Sequence, residues 1–353
     1  MRSLSALLRR PPPVRRARAL LALAAAIGCG VLLASGPPSH AAPPSGPRYG
    51  LFSMETDAAV EGAAAGLREG FRLSGLAPQV LERSVTGDET TARAALHEFA
   101  LEGVDVVFVL GPDAAQLARD TLRAPSVVFA AVGYPEALGL PGRGNVCGVA
   151  GGVAAAQIVA WAPRVTPALR TLGIVTAPDR ESRALCDAVE AAAIRAGMRI
   201  ARASHDNATT RATTQTTTEA TTRADVETLE RVVALSASCE AIWMPPAISA
   251  AQAETIARAL EGKGVALLGS RRGHLDAGAS AILRTSPQTQ GLLAAALARR
   301  ILRGAAPEEV GIVRPRRVRH EVSLNAAQRL GHEIPLAVIA TADHLVPAIG
   351  RRR

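Results

Sequence analysis

Two aspartates stand where an α/β chain could put them to chemical use. Asp113 lies in "VDVVFVLGPDAA" (104–115) and Asp179 in "LGIVTAPDRES" (172–182), each just after an apolar run and a proline. A carboxylate at such a turn can act as a general acid or base, or it can accept the free N–H groups that open the next helix. The second use needs nothing beyond the turn, and it is the reading preferred. A third stretch, "AIWMPPAISAA" (241–251), has the same grammar with two prolines and no acid. Catalysis would require partners, and none emerge. There is no G-x-S-x-G elbow and no Walker A motif; Lys263, in "EGKGV", is the only lysine. "GRGNVCG" (142–148) misses the dinucleotide spacing. His97, His205, His274, His320, His332 and His344 are scattered without metal-ligand spacing and read as surface or packing residues. Cys147, Cys186 and Cys239 form no C-x-x-C pair and read as small apolar fillers. Neither a catalytic residue nor a metal or cofactor is expected.

The elements around these turns alternate. From Pro47 onward, apolar runs of strand length are followed by segments with helical periodicity and short links: "RYGLFSM", "AAVEGAAAGLREGFRLSG", "PQVLERSV", "DETTARAALHEFALEG", "VDVVFVLG", "DAAQLARDTLRA", "PSVVFAAV". That order predicts a parallel sheet with helices on its faces. Residues 133–152 hold seven glycines and two prolines with no clear period, and they are taken as a domain boundary. The alternation restarts with "AAAQIVAWAPRV" and runs to "VALLGS" (265–270), giving a second α/β unit of similar length. Ligands of open α/β sheets bind beyond the carboxyl ends of the strands, where helix N-termini favour an anion. All three turns fall there, so two facing lobes would line one cleft with them. Between Ser204 and Ala224, nine threonines crowd 209–222 with only alanine to pack, which reads as a flexible surface insertion.

Composition narrows the function classes. The chain has 353 residues, of which 48% are apolar but only 3% aromatic, so two cores must be built from Ala, Val, Leu and Ile. Its net charge of +9 invites a nucleic-acid reading, but Arg2, Arg9, Arg10, Arg15, Arg16 and Arg18 precede residue 41 with no acid among them. Without them the charge is +3, matched by Arg351–Arg353, so the body is near neutral and no nucleic-acid partner is expected. The basic stretch precedes "ALLALAAAIGCGVLLASG" (19–36) and then "SHA", the layout of a secretory signal cleaved after Ala41. A membrane anchor and a lipoprotein held through Cys29 are the alternatives.

With these pieces in order, the chain resembles the substrate-binding proteins of ABC importers that include the tryptophan- and tyrosine-binding type. The matching stretches are "GLREGFRLSG", "VDVVFVLGPDAAQLA", "PSVVFAAVGYPEALGL", "NVCGV", "RTLGIVTAPDRES", "EAIWMPP", "GASAIL", "ARRILRGAAPEEV" and "VSLNAAQRLGHEIP", from about Tyr49 to Val346. The resemblance implies the type I periplasmic-binding architecture: two Rossmann-like α/β lobes joined by hinge crossovers, with 48–150 and 270–314 in the first and 151–269 and 315–353 in the second. It implies a non-enzymatic, periplasmic, monomeric receptor that closes on a small molecule, an amino acid or carboxylate-like solute, and passes it to a permease and its ATPase. A sensor of the same fold that signals to a membrane partner, and an α/β enzyme, are the other readings.

Carried over by position, the implied pocket holds Ser53 and Met54, then Gly111, Pro112, Asp113 and Ala114, then Gly133 and Tyr134, with Asn145 at the crossover. The second lobe adds Pro178, Asp179 and Arg180, then Pro245, Pro246 and Ala247, then Ser270 and Arg271. Tyr134 is expected to stack on the ligand. Members of the family commonly carry an aspartate followed by tyrosines where this chain has Ser286 and Pro287, and a small polar residue where it has Arg271-Arg272. The departure thins the aromatic wall, and an arginine in the cleft would favour an anionic solute.

Overall fold

The computed structural model describes residues 46–75, 78–140, 144–203 and 229–348. The leader with Cys29 and the threonine-rich insertion 206–223 lie outside the described residues. No described helix is long and apolar enough to cross a membrane.

Two sheets form the frame. The first has the order β11-β5-β4-β3-β1-β2 and is wholly parallel, built from Arg48–Ser53 (β1), Gln79–Ser84 (β2), Val106–Leu110 (β3), Ser126–Val132 (β4), Val146–Ala150 (β5) and Ile312–Val313 (β11). The second has the order β13-β12-β10-β9-β8-β6-β7: Thr171–Val175 (β6), Arg199–Ala203 (β7), Ala241–Trp243 (β8), Ala266–Gly269 (β9), Ala281–Arg284 (β10), Arg319–Ser323 (β12) and His344–Val346 (β13). It is parallel except for the β10–β12 pair. The central strands β3, β5, β6, β8 and β9 are buried along their whole length, which is why β3, β6, β8 and β9 read as apolar runs and not as alternation. The edge strand β2 alternates exposure instead.

Helices cover both faces of each sheet. The principal ones are α1 (Ala58–Leu73), α2 (Glu89–Leu101), α3 (Pro112–Thr121), α4 (Ala155–Val165), α5 (Arg180–Arg195), α6 (Ala250–Ala259), α7 (Arg272–Asp276) and α8 (Pro287–Leu302). Asp57, Asp88, Asp179, Ser249 and Ser286 cap α1, α2, α5, α6 and α8 through their side chains, as the sequence grammar requires. Aromatics are few, and three of them are pooled: Tyr49, Phe71 and Phe108 meet at centroid distances of 4.9–5.5 Å beneath α1. The helices α1 and α8 approach so closely that a Cβ at Gly66 would lie 2.0 Å from the Gln288 carbonyl oxygen, and one at Gly291 would lie 1.9 Å from that of Ala63.

Two sequence expectations change here. The stretch 133–152, taken as a boundary without period, contains the buried strand β5. Its central Gly148 has no side chain because the Phe129 ring of β4 fills that place, 2.4 Å from where a Cβ would stand. The segment 270–314 was expected to rejoin the first lobe at residue 270. Strand β10 instead pairs with β9 and β12 in the second sheet, so the return falls at Thr285–Ser286, after which α8 packs on α1.

The chain thus crosses between the sheets three times: after Ala150, after Arg284 and after Val313. The first two crossings are tied together. The Thr285 hydroxyl donates to the Gly151 carbonyl, the Gln290 amide nitrogen donates to the Thr285 oxygen at 3.0 Å, and the Gln290 carbonyl accepts from Ala131 N at 3.1 Å. Gln290 is buried, so this network is satisfied wholly within the protein.

Candidate functional site

The carboxyl ends of β1, β3 and β4 in the first sheet meet those of β6, β8 and β9 in the second. Side-chain contacts join the facing loops, among them Glu181 of α5, which accepts from Tyr134 N, and Arg271, whose Nη2 lies 3.9 Å from Asp57 Oδ2.

On the first-lobe side, Ser53 ends β1 and its hydroxyl donates to Ser84 Oγ at 3.2 Å, while Met54 packs against the apolar core. The next loop brings Glu55 beside Gly111. That glycine has φ +98°, a conformation few other residues adopt, and a Cβ there would stand 3.1 Å from the Glu55 carboxyl. The backbone N–H of Asp113 faces the Glu55 carboxyl and pulls its pKa down. Burial pushes the Glu55 carboxyl up to about 7, and repulsion from Asp113, Asp57 and Glu181 adds to it. Pro112 opens α3, Asp113 is exposed on it and Ala114 is buried beneath. Asp113 does not cap its helix, whereas Asp57 caps α1 by accepting from Ala59 N and Val60 N at 2.9 Å.

On the second-lobe side, Pro178, Asp179 and Arg180 are exposed, and Asp179 accepts from Ser182 N at 2.7 Å. Pro245, Pro246 and Ala247 follow β8, and Ser270 and Arg271 follow β9. The two loops are braced from below by His274, which is fully buried. Its Nδ1 accepts from Ser270 N at 3.3 Å and its Nε2 donates to the Ile248 carbonyl at 2.7 Å. Burial lowers its pKa to about 4, so the ring is neutral at physiological pH and the two nitrogens hold fixed roles. The Ser270 hydroxyl donates to Met244 O at 2.6 Å, and Arg271 Nη1 to Pro246 O at 3.1 Å.

Most of the sequence-derived residues therefore come to one face; besides Asp113, which does not take the capping role expected of it, Asn145 and Tyr134 do not behave as expected. Asn145 precedes β5 at the opposite end of the first sheet, where its amide donates to the carbonyls of Leu122 at 3.1 Å and Pro125 at 3.3 Å. It ties a turn together and lies away from the strand-end face. Tyr134 is pinned at the first crossing: its hydroxyl donates to Val153 O at 2.5 Å and its ring packs on the second-lobe core. A ring held that way is a joint between lobes, in place of the ligand-stacking wall expected. Ser286 is buried and caps α8, and Pro287 packs where a Gly62 Cβ would be, so these positions serve helix α8.

The residues missed by sequence reasoning are Glu55, Asp57 and Glu181. Each sits within four residues beyond a strand-end turn or helix start, and an acid so placed was the available signal. The Glu181 carboxyl is raised above the usual range, chiefly by burial, although the N–H groups of Tyr134 and Gly133 pull it down while Asp179 and Asp113 push it up. Among the described residues no group of three or more His, Cys, Asp or Glu is arranged to hold a metal ion. A cavity of about 680 Å³ lies elsewhere, between α4 and α5, with Leu169, Arg170, Gly197 and Met198 marking it as the amino-terminal end of the second sheet.

This arrangement has solved counterparts. An ABC domain from Streptococcus pneumonia in complex with L-Trp superposes with a TM-score of 0.68 at 19% identity, covering 86% of this chain and 100% of that one. A ligand-free, open substrate-binding protein with adhesive properties from Clostridium difficile gives 0.71 at 17%, covering 85% and 99%. A conserved domain protein from Vibrio cholerae gives 0.67 at 19%, covering 85% and 99%. At these identities the likeness establishes the shared fold: two lobes, each a mostly parallel sheet between helices. No curated protein matches at the sequence level. The family model for ABC transporter substrate binding protein matches residues 53–346, a span that runs from the end of β1 through the rest of both sheets and takes in every loop of the strand-end face. The chain belongs to the ABC transporter substrate-binding protein family.

Proposed function

We propose that the chain is an exported receptor that captures a small, amine-bearing solute of amino-acid type between its lobes and delivers it to the permease and ATPase of an ABC importer. The solute-binding role rests on the family. The leader layout of residues 1–41 supports a periplasmic location. The receptor acts as a monomer and without chemistry: closure is driven by contacts the solute makes better in the closed form than in the open one.

The charge of the strand-end face carries the choice of solute. Glu55, Asp57, Asp113, Asp179 and Glu181 gather there against Arg180 and Arg271. Arg271, which in the sequence pointed to an anion, spends its guanidinium on Pro246 O and lies near Asp57. An ammonium group taken out of water needs carboxylate partners. Glu55 is suited to the part, because burial and repulsion from Asp113 raise its pKa and an ammonium beside it would offset both. The test is calorimetry of the refolded, solute-free mature chain with tryptophan, putrescine and succinate. Binding of tryptophan or putrescine with succinate inert is expected. Tight binding of succinate alone would overturn the charge assignment, and native mass spectrometry of gently purified protein would name the solute it carries.

A further inference from the structure

The geometry points to Glu181 as a specificity-determining residue that reserves the backbone donors of the first lobe and so denies them to a solute carboxylate. The inference rests on the receptor reading above and concerns the same face.

At the end of β4 the N–H groups of Gly133 and Tyr134 point away from the sheet's own ladder. Two adjacent N–H groups at a strand end are a ready place for a carboxylate. Here the carboxylate comes from the other lobe. Tyr134 N donates to Glu181 Oε1, and the neighbouring Gly133 N–H lies against the same carboxyl and pulls its pKa down. Gly133 makes room for it, since a Cβ there would lie 2.6 Å from Oε1. Neither partner is free to swing away. Tyr134 is held by its hydroxyl on Val153 O and by its ring in the second-lobe core. Glu181 lies in the first turn of α5, behind the Asp179 cap, where the helix end favours a negative charge. An incoming carboxylate would compete with one tethered at high effective concentration. It would also bring a second negative charge beside Glu181, Asp113 and Asp179. The solute is therefore left to bind through its cationic end, and its anionic end must find donors elsewhere.

The test compares the wild-type chain with Glu181→Ala and Glu181→Gln, titrated with succinate as an anion-only probe and putrescine as a cation-only probe. Removing the carboxylate frees both donors, so Glu181→Ala is expected to gain about tenfold or more in succinate affinity. Glu181→Gln keeps an acceptor on the same stem and is expected to exclude succinate as the wild type does. Equal succinate affinity in wild type and Glu181→Ala would overturn the proposal. The backbone amide resonances of Gly133 and Tyr134 give a readout that needs no bound solute and, in the wild type, no variant. Both amide protons are expected downfield and shifting as Glu181 titrates, with the shift abolished in Glu181→Ala. Amides that ignore pH and mutation sink the Glu181 assignment. Amides that respond, in a protein that binds neither probe nor tryptophan in any form, uphold it and sink the receptor reading instead.

Discussion

The two rims of the strand-end face are held by opposite means. The first-lobe loops are held by carboxylates set against backbone N–H groups: Asp57 accepts from Ala59 and Val60, and Glu55 faces the N–H of Asp113. Apart from the Asp179 cap, the second-lobe loops are held by side chains that reach backbone carbonyls from beneath: His274 to Ile248 O, Ser270 to Met244 O and Arg271 to Pro246 O. One rim is therefore loaded with negative charge that its own fold does not neutralise, while the other spends its donors internally. In the receptor proposed above, recognition of charge would fall to the first rim and the Glu181 carboxylate, with the second rim supplying shape.

Substitutions can break this contrast in graded steps. The largest effect is expected at His274, where truncation leaves a cavity and two unpaired backbone groups. His274→Ala should cost about 2–4 kcal/mol in urea unfolding. The same residue sets an acid limit. Its folded pKa of about 4 lies below the ordinary 6.5, so the unfolded chain binds the proton first. The wild type should lose stability as pH falls from 6.5 towards 4, and His274→Phe should lose less over that window. A variant with an unchanged acid limb would remove the imidazole from its role as brace.

At Gly111 the expected effect is smaller. Gly111→Ala meets both the φ of +98° and the Glu55 carboxyl at 3.1 Å, and should cost about 1–3 kcal/mol. Restoring stability by adding Glu55→Gln would contradict the backbone part of that argument, since the amide is as large as the acid. Glu55 itself should show through pH. Its pKa rises from 4.5 to about 7 in the folded protein, so folding is favoured where the group is protonated and the benefit fades as pH climbs between those values. Glu55→Gln, which cannot ionise, should therefore gain on the wild type in thermal melts at pH 8 and not at pH 4. The smallest change is expected at Arg271, whose side chain is 42% exposed and 3.9 Å from Asp57. Arg271→Ala should move stability by less than about 1 kcal/mol and leave anion binding unchanged. A large loss of solute affinity there would return charge recognition to the second rim.

Much of the strand-end face was legible because its turns follow a local rule. Gly111-Pro112-Asp113, Pro178-Asp179-Arg180, Pro245-Pro246-Ala247 and Ser270-Arg271 each end a buried apolar run, and a buried parallel strand must stop at such residues before its helix begins. Strand β5 was hidden because its packing partner is elsewhere: Gly148 fits a strand only with the Phe129 ring beside it. Asn145 was misplaced for a related reason. The resemblance put it at a crossover, but its amide satisfies two carbonyls twenty or more residues earlier in a turn at the other end of the sheet.

Apart from β5 and the uncapped start of α3, the order of strands, turns and caps thus follows from the sequence alone, since apolar runs, prolines and capping aspartates act on their immediate neighbours. The tertiary structure alone decides which charges remain available. Glu181 and Tyr134 are 47 residues apart, and Arg271 and Asp57 lie in different lobes. A carboxylate or guanidinium carries the same formal charge in every sequence, but what it can offer a solute depends on the partners the fold brings within hydrogen-bonding reach and on the water it removes.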